Sequence, residues 1–201
     1  MSSDALTAPR VYLADTWQAS IARDAILVLG GTAFITLSAF VTIPLPFTPV
    51  PVALATLAVL ATGASLGALR GALSAGLYLL FGALGAPIFS DGQSGVTFPT
   101  FGYVIGYVIA AIVVGQLARH QADRKMSTTL ALGTLGSIIL YVCGVPWLAI
   151  SLGVSLGQAV ILGVVPFLIG DAFKILALSA LLPSAWRIVG KVKPERDGSG
   201  R

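Results

Sequence analysis

Gly163-Val164-Val165-Pro166-Phe167-Leu168-Ile169-Gly170-Asp171-Ala172-Phe173-Lys174-Ile175-Leu176-Ala177-Leu178 is apolar almost throughout, yet it carries one acid and one base three residues apart. On a helix, positions i and i+3 share a face. An ionisable side chain at the centre of a membrane helix costs roughly 2.5–3.5 kcal/mol on insertion scales, so two on one face need a reason. One reading is an ion pair that joins helices. The other is a polar site for a solute inside the bilayer. A buried pair gains little over an apolar replacement, because desolvation offsets the attraction. Intramembrane charges usually mark function, so the solute site is favoured.

The rest of the chain supplies the membrane. Its 201 residues are 56% hydrophobic and 10% charged, with a mean hydropathy of +0.93. Soluble domains carry about 25% charged residues. The composition therefore predicts an all-α polytopic membrane protein, because long Ala/Leu/Val/Ile/Gly runs satisfy their own backbone hydrogen bonds as helices. The net charge of +4 fits a positive-inside bias, and without a basic patch interleaved with aromatics it excludes nucleic acid as a partner. A single cysteine, Cys143, leaves no disulfide or metal cluster within one chain. Met1 to Ser20 is polar and mixed, unlike a signal peptide.

Six spans are expected in a compact bundle. The lead, residues 1–24, precedes a single membrane domain over 25–183, and a basic tail follows over 184–201. A weak surface-helix signal covers Val11 to Ile21. The first span, Ala25 to Ile43, ends at Pro44-Leu45-Pro46-Phe47-Thr48-Pro49-Val50-Pro51, a stiff loop that cannot continue a helix. The second and third, about Val52 to Gly67 and Gly71 to Gly85, carry small residues every four positions (Gly67, Gly71, Ala75), a pattern for close packing within the chain or against a partner. The loop from Ala86 to Pro99 is long enough to fold over a site. The fourth span, Thr100 to Ala118, places Tyr103 beside Gly102. The fifth runs from Thr128 to Ile150. Ser151 to Val165 reads as a short helix or re-entrant piece, and the sixth span, Pro166 to Leu182, stops where Pro183 interrupts it. His120 falls in a basic, solvated loop.

Eleven of the twelve basic residues fall on one side of this arrangement: Arg10, Arg23, Arg70, Arg119, Arg124, Lys125, Arg187, Lys191, Lys193, Arg196 and Arg201. The positive-inside rule then puts both termini in the cytoplasm of a cell-membrane protein. The twelfth is Lys174. The proline loop, the 86–99 loop and the 151–165 segment converge on the outer side above Asp171 and Lys174, as a pocket open to the exterior. The chain has no nucleophile–base pair, no metal cluster and no phosphate-binding loop, so no enzyme activity is expected. Asp171 can accept from N–H donors, and Lys174 offers three donors and a positive charge. Phe89, Phe98, Phe101, Tyr103 and Phe167 offer apolar walls. The expected ligand is small and amphipathic, with N–H donors and an acidic or carbonyl end.

Several pieces together resemble one family. They are Phe47-Thr48-Pro49-Val50-Pro51; Leu77-Tyr78 with Gly82, Gly85, Pro87 and Phe89; Pro99-Thr100-Phe101-Gly102-Tyr103; Gly144-Val145-Pro146-Trp147-Leu148; and Pro166-Phe167-Leu168 followed by Gly170-Asp171 and Lys174. In this order and spacing, from about residue 25 to 183, the chain resembles the BioY family, the biotin-binding S component of energy-coupling-factor (ECF) transporters. The resemblance implies a six-helix bundle that captures biotin from outside and hands it inward, with a transmembrane coupling subunit and ABC-type ATPases as partners, no cofactor beyond the ligand, and room for a homo-oligomer. It implies Asp171 and Lys174 as polar ligands of biotin, Tyr103 as a wall or donor, and Thr48, Pro49 and Val50 in a closing loop. Tyr78, Phe89 and Gly102 complete the implied set. The chain departs from the family pattern at Ala53 and Ala55, where a Thr and a Gln are usual. A docking face of paired alanines on the first helix is diluted to Ala25, Leu29, Ala33. A standalone biotin carrier, an S component for another vitamin, and a membrane scaffold held by the Asp–Lys pair are the alternatives.

Overall fold

The computed structural model describes residues 12–16 and 20–192. After a 3-10 turn at Leu13–Thr16, helix α1 spans Ile21–Ala39. It starts four residues earlier than expected because the Ser20 side chain accepts from the Arg23 backbone N–H at 3.0 Å and caps the first turn. Residues 1–11 and 17–19 of the expected lead lie outside the described residues. The proline loop hangs on an antiparallel ribbon of two-residue strands, β1 Thr42–Ile43 and β2 Val52–Ala53, which the sequence reading missed. Helices α2, Ala55–Leu66, and α3, Ala68–Ala83, are joined at Gly67, whose φ of +88° suits a residue without Cβ.

Helix α4 covers Phe101–Arg119, after a 3-10 turn at Ser90–Gly92. Helix α5, Met126–Leu152, carries Pro146 inside it and ends at Gly153 in the left-handed region. The semi-polar segment then forms helix α6, Leu156–Gly163, opened by a capping box between Ser155 and Gln158. A 3-10 turn at Val165–Phe167 breaks it from helix α7, Leu168–Val192. The expected stop at Pro183 is corrected: α7 runs through this proline, and residues 184–192 continue the helix. A proline removes one hydrogen bond of the ladder. Burial of Leu178 and Leu182 before it and the anchored Trp186 after it hold the helix together. Residues 193–201 lie outside the described residues.

The architecture is all-α apart from the short ribbon. α1, α4, α5 and the stretch Leu156–Val189 are long and apolar enough to cross a membrane. α2 and α3, with 12 and 16 residues, reach only about 18 and 24 Å, short of a hydrocarbon core of about 30 Å. Large apolar side chains such as Leu37, Val142, Ile169, Phe173 and Leu181 point outward, as lipid contact requires. α4 runs through the middle and buries Val104, Tyr107, Ala110, Ala111 and Val114. Small residues allow this: a Cβ on Gly63 would stand 2.8 Å from the Ala111 carbonyl oxygen, and one on Gly71 would stand 2.8 Å from the Gly63 Cα. Gly71 and Ala75 of the small-residue row therefore pack within the chain. α1 is tied to α3 by Thr32 Oγ1 donating to the Ser74 carbonyl at 3.0 Å and Ser74 Oγ donating to the Val28 carbonyl at 3.1 Å.

The two ends of the bundle differ. At one, Arg70 pairs with Asp15 at 3.2 Å and with Asp24 at 3.1 Å, and Asp24, Arg70 and Arg119 line a common groove. Nearby, Trp186 Nε1 donates to Asp123 Oδ2 at 2.5 Å, and the Arg124 guanidinium lies 4.3 Å from the Trp186 ring centre. Burial holds the Asp123 carboxyl above the usual carboxylate range, with the Trp186 hydrogen bond pulling the other way. At the opposite end, the irregular segments are stitched together. Thr42 Oγ1 donates to Asp91 Oδ1 at 2.7 Å, and Thr48 Oγ1 donates to the Leu162 carbonyl at 2.7 Å.

Candidate ligand site

Beneath those stitched segments lies a cavity of about 610 Å³, counting its open mouth. Val50 and Pro51 come from the proline loop, Phe89, Ser90 and Phe98 from the loop after α3, Gly163 and Phe167 from the α6–α7 break, and Asp171 and Lys174 from α7. α4 contributes Tyr103, Val104 and Tyr107, and α5 contributes Leu140 and Tyr141. All three segments expected to converge above the charged pair do so.

The polar wall is built on α7. Lys174 Nζ stands 3.1 Å from Asp171 Oδ1, with the side chains 14% and 13% exposed. Lys174 Nζ also donates to Thr56 Oγ1 of α2 at 3.0 Å. The Tyr141 hydroxyl donates to Asp171 Oδ2. The ion-pair and pocket readings thus coexist: the two charges neutralise each other and still face the cavity. The wall accepts through Asp171 and donates through Lys174, which has three protons and commits two of them here.

Of the residues singled out from sequence, Asp171, Lys174, Tyr103, Val50 and Phe89 line the cavity, whereas Thr48, Pro49, Tyr78 and Gly102 are not among its lining residues. Thr48 holds the roof: besides donating to Leu162, its Oγ1 accepts from the Val50 backbone N–H at 3.3 Å. Tyr78 is buried behind the wall and packs edge-on to Phe89, ring centres 5.2 Å apart. Gly102 is a packing position, since a Cβ there would meet the Cys143 carbonyl oxygen at 2.8 Å and the Trp147 side chain. Phe101, expected as a wall, packs instead on Phe98 and Trp147. Tyr103 donates to the Gly163 carbonyl at 2.8 Å, closing the break between α6 and α7. Trp147 Nε1 donates to the Phe98 carbonyl at 3.1 Å, which fastens the end of the 86–99 loop to α5.

Sequence reading missed Thr56 and Tyr141. Each carried a signal. A buried tyrosine hydroxyl needs a partner, and Tyr141 sits mid-span among apolar residues. Thr56 is a polar residue in the apolar first turn of α2, and its hydroxyl reaches Lys174 of α7. Ala53 lines the cavity with no polar group, while Ala55 is fully buried away from it.

Thr48→Val, nearly isosteric, tests the roof. Losing a neutral hydrogen bond costs about 1 kcal/mol, so ligand release is expected to quicken about fivefold. Dissociation kinetics of bound ligand check this; an unchanged rate would remove the roof role.

The fold matches a solved S component for biotin from an ECF-type ABC transporter, with a TM-score of 0.75 over 85% of this chain and 95% of that one, at 22% identity. The chain thus shares the helical fold of that protein. The BioY family model matches residues 8–191, and the chain belongs to the BioY family. It is 31% identical over 185 residues to the biotin transporter BioY of Rhizobium etli, covering 87% of this chain and 98% of that protein. It is 34% identical over 154 residues to the biotin transporter BioY of Thermotoga maritima, covering 75% and 88%. The family is one of transporters, not enzymes.

Proposed function

We propose that this chain is the substrate-capture subunit of a biotin importer, binding biotin in an outward-facing pocket and handing it inward. One observation carries the proposal: the Asp171–Lys174 pair is not sealed between helices but forms one wall of a cavity roofed by three loops. Biotin's cyclic urea offers two N–H donors and a carbonyl, and its side chain ends in a carboxylate. Asp171 takes the N–H side and Lys174 an oxygen. Phe89, Phe98 and Phe167 cover the apolar body. Names of the relatives support biotin over another vitamin.

Six crossings, with the domain centred on residues 25–183 and extended by the α7 helix, follow if α2 and α3 cross as a pair with thinner hydrophobic lengths. The groove shared by Asp24, Arg70 and Arg119 and the Trp186–Asp123 contact gather the basic ends of α1, α3, α4 and α7. That end faces the cytoplasm by the positive-inside rule, with both termini there and the pocket facing out. A transmembrane coupling subunit with ABC-type ATPases supplies the energy. The diluted row Ala25, Leu29, Ala33, with Leu29 exposed, keeps a standalone carrier as the second reading; uptake in cells lacking any coupling subunit separates the two.

A ligand that binds only the folded state stabilises it by RT ln(1 + [L]/Kd), about 4 kcal/mol at a thousandfold excess over Kd. Purified protein in detergent is expected to melt several degrees higher with saturating biotin. An unchanged melt would remove biotin as the ligand.

A further inference from the structure

Tyr141 stands in the polar wall without a role in the proposal above. Its hydroxyl has one proton, and that proton goes to Asp171 Oδ2. A phenol offers one donor and acceptor lone pairs. Tyr141 also lines the cavity. With its proton committed to Asp171, the hydroxyl can present only lone pairs to a bound molecule. Asp171 is held from both sides, by Tyr141 on Oδ2 and by Lys174 on Oδ1. A carboxylate has about four lone-pair sites, so it still accepts from a ligand after both contacts. Thr56 in turn holds Lys174.

The α5–α7 wall is therefore an acceptor surface from Tyr141 to Asp171, with Lys174 as the donor at its far side. We propose that Tyr141 is a specificity-determining residue of this pocket: its hydroxyl fixes Asp171 and makes the wall accept ligand N–H groups while disfavouring lone pairs or alkyl groups in their place. A ligand presenting an acceptor there would face two acceptors with no proton to share. The inference rests on the biotin reading, because the cyclic urea supplies the N–H groups.

The test pairs a protein change with a ligand change. Tyr141→Phe deletes the hydroxyl and keeps the ring. Biotin methylated on one or the other ureido nitrogen deletes one N–H. Affinities of purified full-length wild type and variant for biotin and both methyl analogues are measured by calorimetric titration, with melting of the ligand-free proteins alongside. In wild type, methylation of one nitrogen is expected to weaken binding by at least about tenfold, the worth of a well-placed hydrogen bond to a charged group. Tyr141→Phe is expected to weaken biotin about tenfold while its own penalty for that methylation falls to about threefold or less, because interacting groups are not additive. A hydroxyl that only supports packing would leave the methylation penalty the same in both proteins, which would overturn the proposal. Wild-type protein indifferent to both methylations would overturn it without recourse to the variant, should Tyr141→Phe fold poorly. Wild-type protein that does not bind biotin at all would overturn the underlying ligand reading, and this inference with it.

Discussion

Asp171→Asn is expected to weaken biotin binding by at least about 100-fold, since hydrogen bonds to a charged acceptor contribute about 1.5–3 kcal/mol each. The substitution keeps the side chain's shape, and the amide oxygen can still accept from Tyr141. What changes is the other half of the group. An NH₂ then faces either the Lys174 ammonium, 3.1 Å away in the native pair, or the ligand's own N–H. Both are donors, so the wall loses an acceptor and gains a donor–donor clash. Calorimetric titration of the purified variant measures the loss, and its helical circular dichroism shows whether the bundle is intact.

Lys174→Met is expected to destabilise the ligand-free protein by about 3–5 kcal/mol, the usual cost of leaving one member of a buried pair uncompensated. Asp171 would keep only the Tyr141 hydroxyl. Replacing both, as Asp171→Leu with Lys174→Met, is expected to recover most of that stability, because an apolar pair of similar volume avoids desolvating two charges. Biotin binding would stay lost. Thermal melts of the single and double variants check the first point, and titration the second. A membrane scaffold held by an ion pair predicts no ligand in any of them. A double variant that binds biotin normally would show the pair to be packing only.

Much of this was legible in the chain. Asp171 and Lys174 stood out because charge is scarce in an apolar run, and their spacing placed them on one face. Among the described residues, Arg70 and Arg119 line one groove and Arg124 stacks near Trp186, in keeping with part of the expected basic cluster. Glycine and serine spacing marked the short α6 helix between two breaks. Other features depended on tertiary contacts. Pro183 does not end α7, because burial on either side outweighs one missing hydrogen bond. Ser20 started α1 early through a local cap. The ribbon joining Thr42–Ile43 to Val52–Ala53 pairs residues across four prolines, and no alternating pattern of useful length announces it. Gly102 and Tyr78 belong to recognisable motifs but serve packing around the cavity, whereas Tyr141 and Thr56 reach it from other helices. Linear motifs mark chemistry and tight packing alike, and only the fold separates them.

The central claim is that Asp171 and Lys174 bind biotin. Equilibrium dialysis of labelled biotin against the purified full-length protein and its Asp171→Asn variant tests it most directly. Saturable binding of one biotin per chain by the wild type, displaced by unlabelled biotin and reduced at least about 100-fold in the variant, is the predicted result. Equal binding by both proteins, or none by the wild type, would contradict it.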